Sequence, residues 1–163
     1  MKRILLTIEY DGTRYAGWQR QDNGLAVQQV LETALARATG QASHLTGASR
    51  TDAGVHALGQ RAHFDTASSI PDEKWPFVLN TLLPPDIRVT ASQRVSDALH
   101  ARFCAQKKTY EYRFLNRRHN SALRHKFCAF VPLPLDLDRM RQAARDLVGR
   151  HDFAAFQAAG GSA

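Results

Sequence analysis

The chain has 163 residues, 44% hydrophobic and 23% charged, which is typical of one or two compact domains and excludes a disordered acidic tail or a collagen-like repeat. Lys plus Arg number 22 against 15 for Asp plus Glu, and the pI near 9.9 predicts a field that attracts phosphate-rich partners, nucleic acid first. Many soluble proteins are mildly basic without such a role, so charge alone leaves this open. We expect Cys104 and Cys128 to be reduced, and the lack of a signal-like or membrane-spanning apolar run predicts a cytoplasmic protein.

The N-terminal part of the chain contains the clearest strand and helix patterns. Apolar and other residues alternate over Ile4–Tyr10, which predicts a strand with one apolar face. Apolar residues recur at helical spacing over Leu25–Thr39, with Asn23 as a possible N-cap and Gly40 just past the end. These two segments therefore predict a strand that is followed by an amphipathic helix.

The rest of the chain continues this mixture of short strands and helices. Alternating runs predict five further strands, at Ala42–Thr46, Arg61–Asp65, Ile87–Ala91, Thr109–Leu115 and Lys126–Val131. Helical spacing predicts helices over Asp72–Leu83 and Leu135–Val148, the latter with Asp136 as its cap. This order of elements predicts an α+β fold with a mixed or antiparallel sheet and with helices on one face.

The segment Gly47–His56 is the densest polar cluster of the sequence. In an extended backbone Arg50 and Asp52 project to the same side, within reach of an ion pair that would favour the ionised carboxylate. Such a carboxylate suits a nucleophile or a base, and Gly54 would let the backbone turn sharply beside it. The alternative, which the local pattern by itself favours, is an ordinary Asp-x-Gly turn.

Other chemistries have less support. Ser49 does not fit the nucleophile elbow of serine hydrolases, and no phosphate-binding glycine motif of a nucleotide cofactor occurs. A metal site from His44, Asp52, His56 and His63 would have spacings that match no helical ligand pair or chelating loop.

A second cluster, Ala101–Lys126, interleaves cations with aromatic residues and contains Glu111 as its only acid. Cations neutralise phosphates while aromatic rings stack on unpaired bases, so this composition suits RNA. The alternative is that aromatic residues on one strand face belong to the core, and for Tyr112 and Phe114 we favour that interpretation. The theme recurs around Arg14–Arg20, where Trp18 could equally be a packing anchor.

Three segments together resemble the tRNA pseudouridine synthase A family. They are Tyr10–Gln19, Ser49–Ala57, and Ala101–Phe103 leading to Lys108–Tyr112. Asp152-Phe153 and Phe156 fit a fourth landmark of the family, so the resemblance extends over the whole chain. Within it, the run from Arg50 to His56 is highly specific and overrides the turn interpretation of Asp52.

The resemblance implies isomerisation of uridine to pseudouridine in the anticodon stem-loop of tRNAs, at positions 38, 39 and 40, by a homodimer without cofactor or metal. Asp52 matches the catalytic aspartate, Arg50 its neighbouring arginine, and Tyr110 the tyrosine that contacts the target base. The resemblance and the charge pattern together give six candidate substrate-binding residues: Tyr110, His56, Arg20, Arg102, Lys107 and Lys108.

The resemblance also implies an RNA-recognition-like (ferredoxin-like) fold for this chain. Family members are longer by roughly one domain, so residues 1–163 are expected to form the N-terminal, aspartate-bearing domain without the C-terminal one. The alternative function is a non-catalytic RNA-binding module, inactive without its C-terminal half.

Overall fold

The computed structural model describes residues 1–156 and contains two compact units. The first unit spans Met1–Glu111 and the second begins at Tyr112. Within residues 1–156 no helix combines the length and the apolar character needed to cross a bilayer.

The first unit is an antiparallel four-stranded sheet with two helices. Its elements are β1 (Lys2–Tyr10), α1 (Val27–Thr39), β2 (Thr46–Gly47), β3 (Ala57–Thr66), α2 (Trp75–Asn80) and β4 (Ile87–Val95). The strand order is β2-β3-β1-β4, and every neighbouring pair is antiparallel. The predicted α+β class is therefore confirmed.

Both helices pack on one face of this sheet. The alternate residues Ile4, Leu6 and Ile8 of β1 are fully buried in one core with Leu31 of α1 and Trp75 of α2. Burying a side chain of this size contributes roughly 1.5–3 kcal/mol. The predicted one-sided placement of the helices is thus confirmed for this unit, and the apolar face of β1 is the reason for it.

The other face of the sheet carries a smaller cluster built on Leu5 and Ala101. The Ala101 N–H donates to Nδ1 of His63 on β3 at 3.1 Å. Arg3 donates from Nε and Nη2 to the two carboxylate oxygens of Asp65, and from Nη1 to two main-chain carbonyls of the segment after β4. The segment from Asp97 to Ala101 is thereby attached to this second face.

Helix α1 begins at Val27, two residues later than predicted, and Asn23 does not cap it. Its N-cap, Ala26, has no side-chain hydrogen bond. Instead, the Val27 N–H donates to the Gly17 carbonyl at 3.1 Å and the next N–H of the helix to the Trp18 carbonyl at 3.0 Å. The loop before the helix therefore satisfies its first donors. Gly40 ends the helix in the left-handed conformation, as predicted.

The remaining bounds of the first unit also differ from the predictions. The strand expected at Ala42–Thr46 is only β2, at Thr46–Gly47, whereas β3 and β4 are each longer than expected. Both long strands pair along the nine residues of β1, so hydrogen bonding extends them beyond their apolar runs. The helix predicted over Asp72–Leu83 is the shorter α2.

The second unit contains two short parallel strands, β5 (Phe114–Asn116) and β6 (Ala129–Val131), and helix α3 (Leu137–Arg145). The Asp136 side chain accepts the Arg139 N–H at 3.0 Å, so the predicted cap of α3 is confirmed. The strand predicted at Thr109–Leu115 is wrong for most of its length.

The core interpretation of two aromatic residues is also wrong for the described chain. Tyr112 is 81% exposed and Phe114 54% exposed. Among residues 1–156 the second unit contributes no member to either hydrophobic cluster, so neither ring belongs to a core.

Candidate active site

The first unit has a surface cleft of about 380 Å³ between two loops. One loop lies between β1 and α1, and the other lies between β2 and β3. The lining residues are Ala16, Gln19, Arg20, Gln21, Arg50, Thr51, Asp52 and Ala53. The structure thus brings together three of the sequence-predicted site residues, namely Arg20, Arg50 and Asp52.

Main-chain hydrogen bonds hold the loop that carries Asp52. The Trp18 N–H donates to the Thr51 carbonyl at 3.0 Å, and the Gly54 N–H donates to the Tyr15 carbonyl at 3.2 Å. The loop turns immediately after Asp52, where Gly54 has φ +78°. The predicted sharp turn is confirmed, and the two loops of the cleft are joined through their backbones.

Two glycines permit the close approach of these loops. A Cβ on Gly12 would lie 1.9 Å from the Val55 carbonyl oxygen. A Cβ on Gly17, which has φ +97°, would lie 2.5 Å from the Thr51 oxygen. Any side chain at either position would push the Asp52 loop away.

The expected ion pair between Arg50 and Asp52 does not form. Both side chains are exposed, and within residues 1–156 neither has an ion-pair partner within 4.0 Å. An exposed pair gains little Coulomb energy in water and must immobilise a long arginine side chain, so its absence is not costly. The Asp52 carboxylate is accordingly open to the cleft.

A buried tyrosine contacts the Asp52 loop. The Tyr10 hydroxyl is 2.8 Å from Thr51 Oγ1, directly before Asp52. Burial raises the pKa of Tyr10, the hydrogen bond with Thr51 opposes the rise, and the charge of Tyr110 adds to it. The Tyr110 ring is itself 58% exposed and is not among the residues that line the cleft.

Gln60 of β3 supports the segment before Arg50. Its amide is buried and donates to the Ser49 carbonyl at 2.6 Å, and the Ser49 hydroxyl donates back to it at 3.4 Å. The Ala48 N–H also donates to the Arg61 carbonyl at 2.7 Å. Sequence analysis missed Gln60. Its only signal in the sequence is a polar residue next to the alternating run that predicts β3.

His56 joins the Asp52 loop to the turn after β1. Its Nδ1 is 3.2 Å from the Gly12 nitrogen, whose N–H donates to it, and 3.1 Å from Oδ1 of Asp11. Both contacts are made by the same ring nitrogen, so His56 joins the two residues of the turn, Asp11 and Gly12. His56 is half-buried and is not among the residues that line the cleft.

The other predicted basic residues lie outside the cleft. Arg102 is exposed in the turn after Ala101, and Lys107 and Lys108 are exposed further along the same segment. Within the described part of the chain, none of these three cations has an ion-pair partner.

The four residues considered for a metal do not converge. Among residues 1–156 no three His, Cys, Asp or Glu side chains are grouped as metal ligands. His63 lies on the second face of the sheet, where burial lowers its pKa and its Nδ1 accepts from Ala101. Cys104 and Cys128 are both free thiols.

Comparison with known proteins shows which family this chain resembles. The family model described as tRNA pseudouridine synthase matches residues 6–104. A curated protein of a Thermoanaerobacter species, named tRNA pseudouridine synthase A, is 46% identical over 162 residues, which are 99% of this chain and 66% of that protein. Proteins of the same name are 47% identical in Ruminiclostridium cellulolyticum, with 99% and 66% covered, and 48% identical in Myxococcus xanthus, with 98% and 60% covered.

The chain therefore spans about two thirds or less of the length of these relatives. The matched region includes both loops of the cleft and Arg102. Because the family model matches more than half of the chain and relatives share nearly half of its residues, the chain belongs to the tRNA pseudouridine synthase family.

Proposed function

We propose that the full-length protein isomerises uridine to pseudouridine in the anticodon stem-loop of tRNAs, with Asp52 as its catalytic residue. The observation that carries the proposal is the carboxylate of Asp52, which has no ion-pair partner among residues 1–156 and lies in a cleft shared with Arg20 and Arg50. The names of the relatives supply the reaction and the class of substrate.

The chemistry requires a carboxylate at the ribose. Breaking the bond between C1′ and N1 builds positive charge on the sugar, and the bonding electron pair leaves with uracil. Asp52 would either attack C1′ and form an ester, or remove the 2′ proton so that a glycal forms. Uracil then rotates, C5 bonds to C1′, the proton on C5 is lost and N1 takes up a proton. In the first route the ester bond between Asp52 and C1′ breaks as C5 attacks, which regenerates the carboxylate. In the second route the 2′ proton returns to the sugar.

Tyr110 and Arg50 would supply two contacts that this sequence of steps needs. The target nucleotide must leave the helical stack before it reaches the carboxylate. The exposed ring of Tyr110 would stack on uracil while it rotates, because stacking does not depend on one hydrogen-bonding edge. Arg50 would bind the phosphate of the flipped nucleotide or occupy the space that it leaves.

The proposal also covers the partner, the oligomeric state and the location of the protein. A net charge of +7 suits a tRNA partner. We further propose that the full-length protein is a homodimer of the cytoplasm, and sedimentation of the full-length protein with and without tRNA would measure its oligomeric state.

The decisive experiment measures tritium release from tRNA labelled at C5 of uridine. Tritium leaves only when C5 forms its new bond, so the full-length protein should release it and Asp52→Asn should not. Asp22→Asn is the matched control, since it removes an exposed carboxylate from the segment that follows Arg20 and should leave release intact. Release by the Asp52→Asn variant in a single turnover would overturn the assignment.

A further inference from the structure

The buried carboxylate of Glu32 in α1 lies beside the cleft but is not part of its lining. Glu32 as a whole is only 9% exposed. Oε1 accepts from the Gln28 amide at 3.0 Å and from the Leu45 N–H at 3.0 Å, and it lies 3.2 Å from His44 Nδ1. Oε2 lies 3.2 Å from Nη1 of Arg20. Four groups from three parts of the chain therefore meet on one carboxylate.

A buried carboxylate is costly unless charge and hydrogen bonds compensate it. Gln28 and Glu32 are one helical turn apart on the buried side of α1, next to Leu31. An apolar pair at these positions would leave the buried N–H and carbonyl of Leu45 without these partners. The polar pair therefore anchors the segment before β2, and it also holds Arg20.

Arg20 is held twice by this pair. Its main-chain N–H donates to Oε1 of Gln28 at 3.0 Å, and its guanidinium contacts Glu32. Nevertheless the Arg20 side chain is 62% exposed and lines the Asp52 cleft. An arginine has five donors in a planar fork, so an ion pair through Nη1 leaves other N–H groups for a ligand.

We propose that Glu32 is a positioning residue that holds the Arg20 guanidinium at the cleft, where it binds a phosphate of the RNA next to the nucleotide at Asp52. The proposal rests on the proposed function, because it takes tRNA as the ligand. A phosphate is the matching group because an arginine fork binds two of its oxygens at once. The contact positions the RNA without reading a base, so it should stabilise the ground state and the transition state alike.

The test is a double-mutant cycle in the full-length protein, assayed by release of tritium from tRNA labelled at C5. Glu32→Gln keeps the size of the side chain and an oxygen for the Leu45 N–H but removes the charge that holds Arg20. We expect Glu32→Gln and Arg20→Gln each to raise KM by roughly 5–10-fold with kcat within about twofold, since a uniform contact acts on KM. The double variant should be no worse than Arg20→Gln alone.

The matched control is Asp65→Asn, which breaks the arginine pair of Arg3 at the opposite end of β1 and should leave KM and kcat unchanged. If Glu32→Gln raises KM by the same factor with and without Arg20, Glu32 does not act through Arg20 and the proposal is overturned. A fall in kcat with unchanged KM would overturn it as well.

A second measurement needs neither turnover nor a variant of Glu32. Binding of unlabelled tRNA to the Asp52→Asn protein is followed with increasing salt, with and without Arg20→Gln. Loss of one phosphate contact should reduce the slope of log affinity against log salt concentration by about 0.7–0.9. An unchanged slope means that Arg20 binds no phosphate and overturns the proposal. This readout is independent of catalysis, so it separates a failure here from a failure of the proposed reaction.

Discussion

Asp52 is held in place by its backbone rather than by its side chain. The carbonyls and N–H groups on either side of it are bonded to the loop between β1 and α1, whereas the carboxylate has no ion-pair partner in the described residues. Position and chemistry are therefore separable at this residue. A change that removes the charge should leave the loop where it is.

This separation predicts that Asp52→Asn changes the free energy of unfolding by less than about 0.5 kcal/mol, as expected for an exposed side chain without a structural contact. Urea denaturation of the full-length protein and the variant measures the difference. A loss larger than about 1.5 kcal/mol would mean that the carboxylate is a structural group, and loss of activity in the variant would then no longer identify a catalytic residue.

At Tyr110 the ring and the hydroxyl can be tested separately. If the ring stacks on uracil, Tyr110→Phe should retain most of the rate of tritium release, whereas Tyr110→Ala should lose about 1–3 kcal/mol of stacking, or roughly 5- to 150-fold in kcat/KM. Tyr112→Ala is the matched control, since it removes a ring of the same kind that is even more exposed. Equal activity of the Phe and Ala variants would contradict a stacking role.

At the level of the elements, the approach of the β1–α1 loop to the Asp52 loop depends on Gly12. We predict that Gly12→Ala destabilises the full-length protein by about 1–3 kcal/mol and lowers kcat, because the new Cβ overlaps the Val55 carbonyl and displaces the loop. Gly59→Ala in β3 is the control. No other part of the described chain comes within 4 Å of its added Cβ, so this variant should be neutral or slightly stabilised. Thermal unfolding and tritium release measure the two effects, and equal behaviour of the variants would refute the overlap.

A second contact between elements joins the β1–α1 loop to the residue just before β4. The Tyr15 hydroxyl donates a hydrogen bond of 2.8 Å to Asp86. Burial raises the pKa of Asp86, but hydrogen bonds from Tyr15 and Arg14 outweigh it and leave that pKa below its usual value of 3.8. Burial and Asp86 raise the pKa of Tyr15 to about 12, so its hydroxyl remains a donor at any lower pH.

We therefore predict that Tyr15→Phe costs about 1–2 kcal/mol at pH 7, as is typical of a hydrogen bond to a charged group. Because the pKa of Asp86 is lower in the folded than in the unfolded state, its stabilising effect is complete above the unfolded-state pKa. The effect is lost as the pH falls through the folded-state pKa. The difference in free energy of unfolding between the unaltered protein and Tyr15→Phe should thus shrink from pH 5 towards pH 2, as measured by urea denaturation. Tyr10→Phe removes a hydrogen bond to neutral Thr51, and its cost should not vary with pH in this range.

The elements that sequence predicts well are those whose evidence is local. The alternation of Ile4, Leu6 and Ile8 shows the buried face of β1 directly, because a strand has a period of two. The start of α1 was not predictable in this way, since its first N–H groups bond to carbonyls of Gly17 and Trp18 across a loop. Tertiary contacts of this kind replace a local cap and leave no local pattern.

The same distinction applies to the site. The cluster around Asp52 was identifiable because its polar residues are contiguous. Arg20 was predicted separately, and the structure places it in the same cleft. Gln28 and Glu32 were missed because they lie within an apolar helical stripe, where their spacing of one turn was the only signal. Their significance depends on Leu45, a residue that the helix meets only in the folded chain.

For the molecule as a whole, the positive charge is unevenly compensated. Lys2, Arg3 and Arg14 are paired with Asp72, Asp65 and Asp86, respectively, so their fields are largely cancelled. By contrast, Arg50, Arg102, Lys107 and Lys108 have no ion-pair partner among residues 1–156. The four cations that the family resemblance and the charge pattern assign to RNA are also exposed, so their positive charge is available to a phosphate-rich partner.

This distribution predicts how binding depends on salt. If Lys107 and Lys108 contact tRNA phosphates, replacing both with Ala in the full-length protein should reduce the log–log slope of the affinity by up to about 2, because each contact releases condensed counterions. All tRNA substrates should weaken alike, since phosphate contacts carry no sequence information. The matched control removes the same charge from the helix-bearing side, with Arg37→Ala and Lys74→Ala, and should leave the slope unchanged. Equal slopes for the Lys107/Lys108 variant and the unaltered protein would identify the two lysines as a solvated surface rather than an RNA contact.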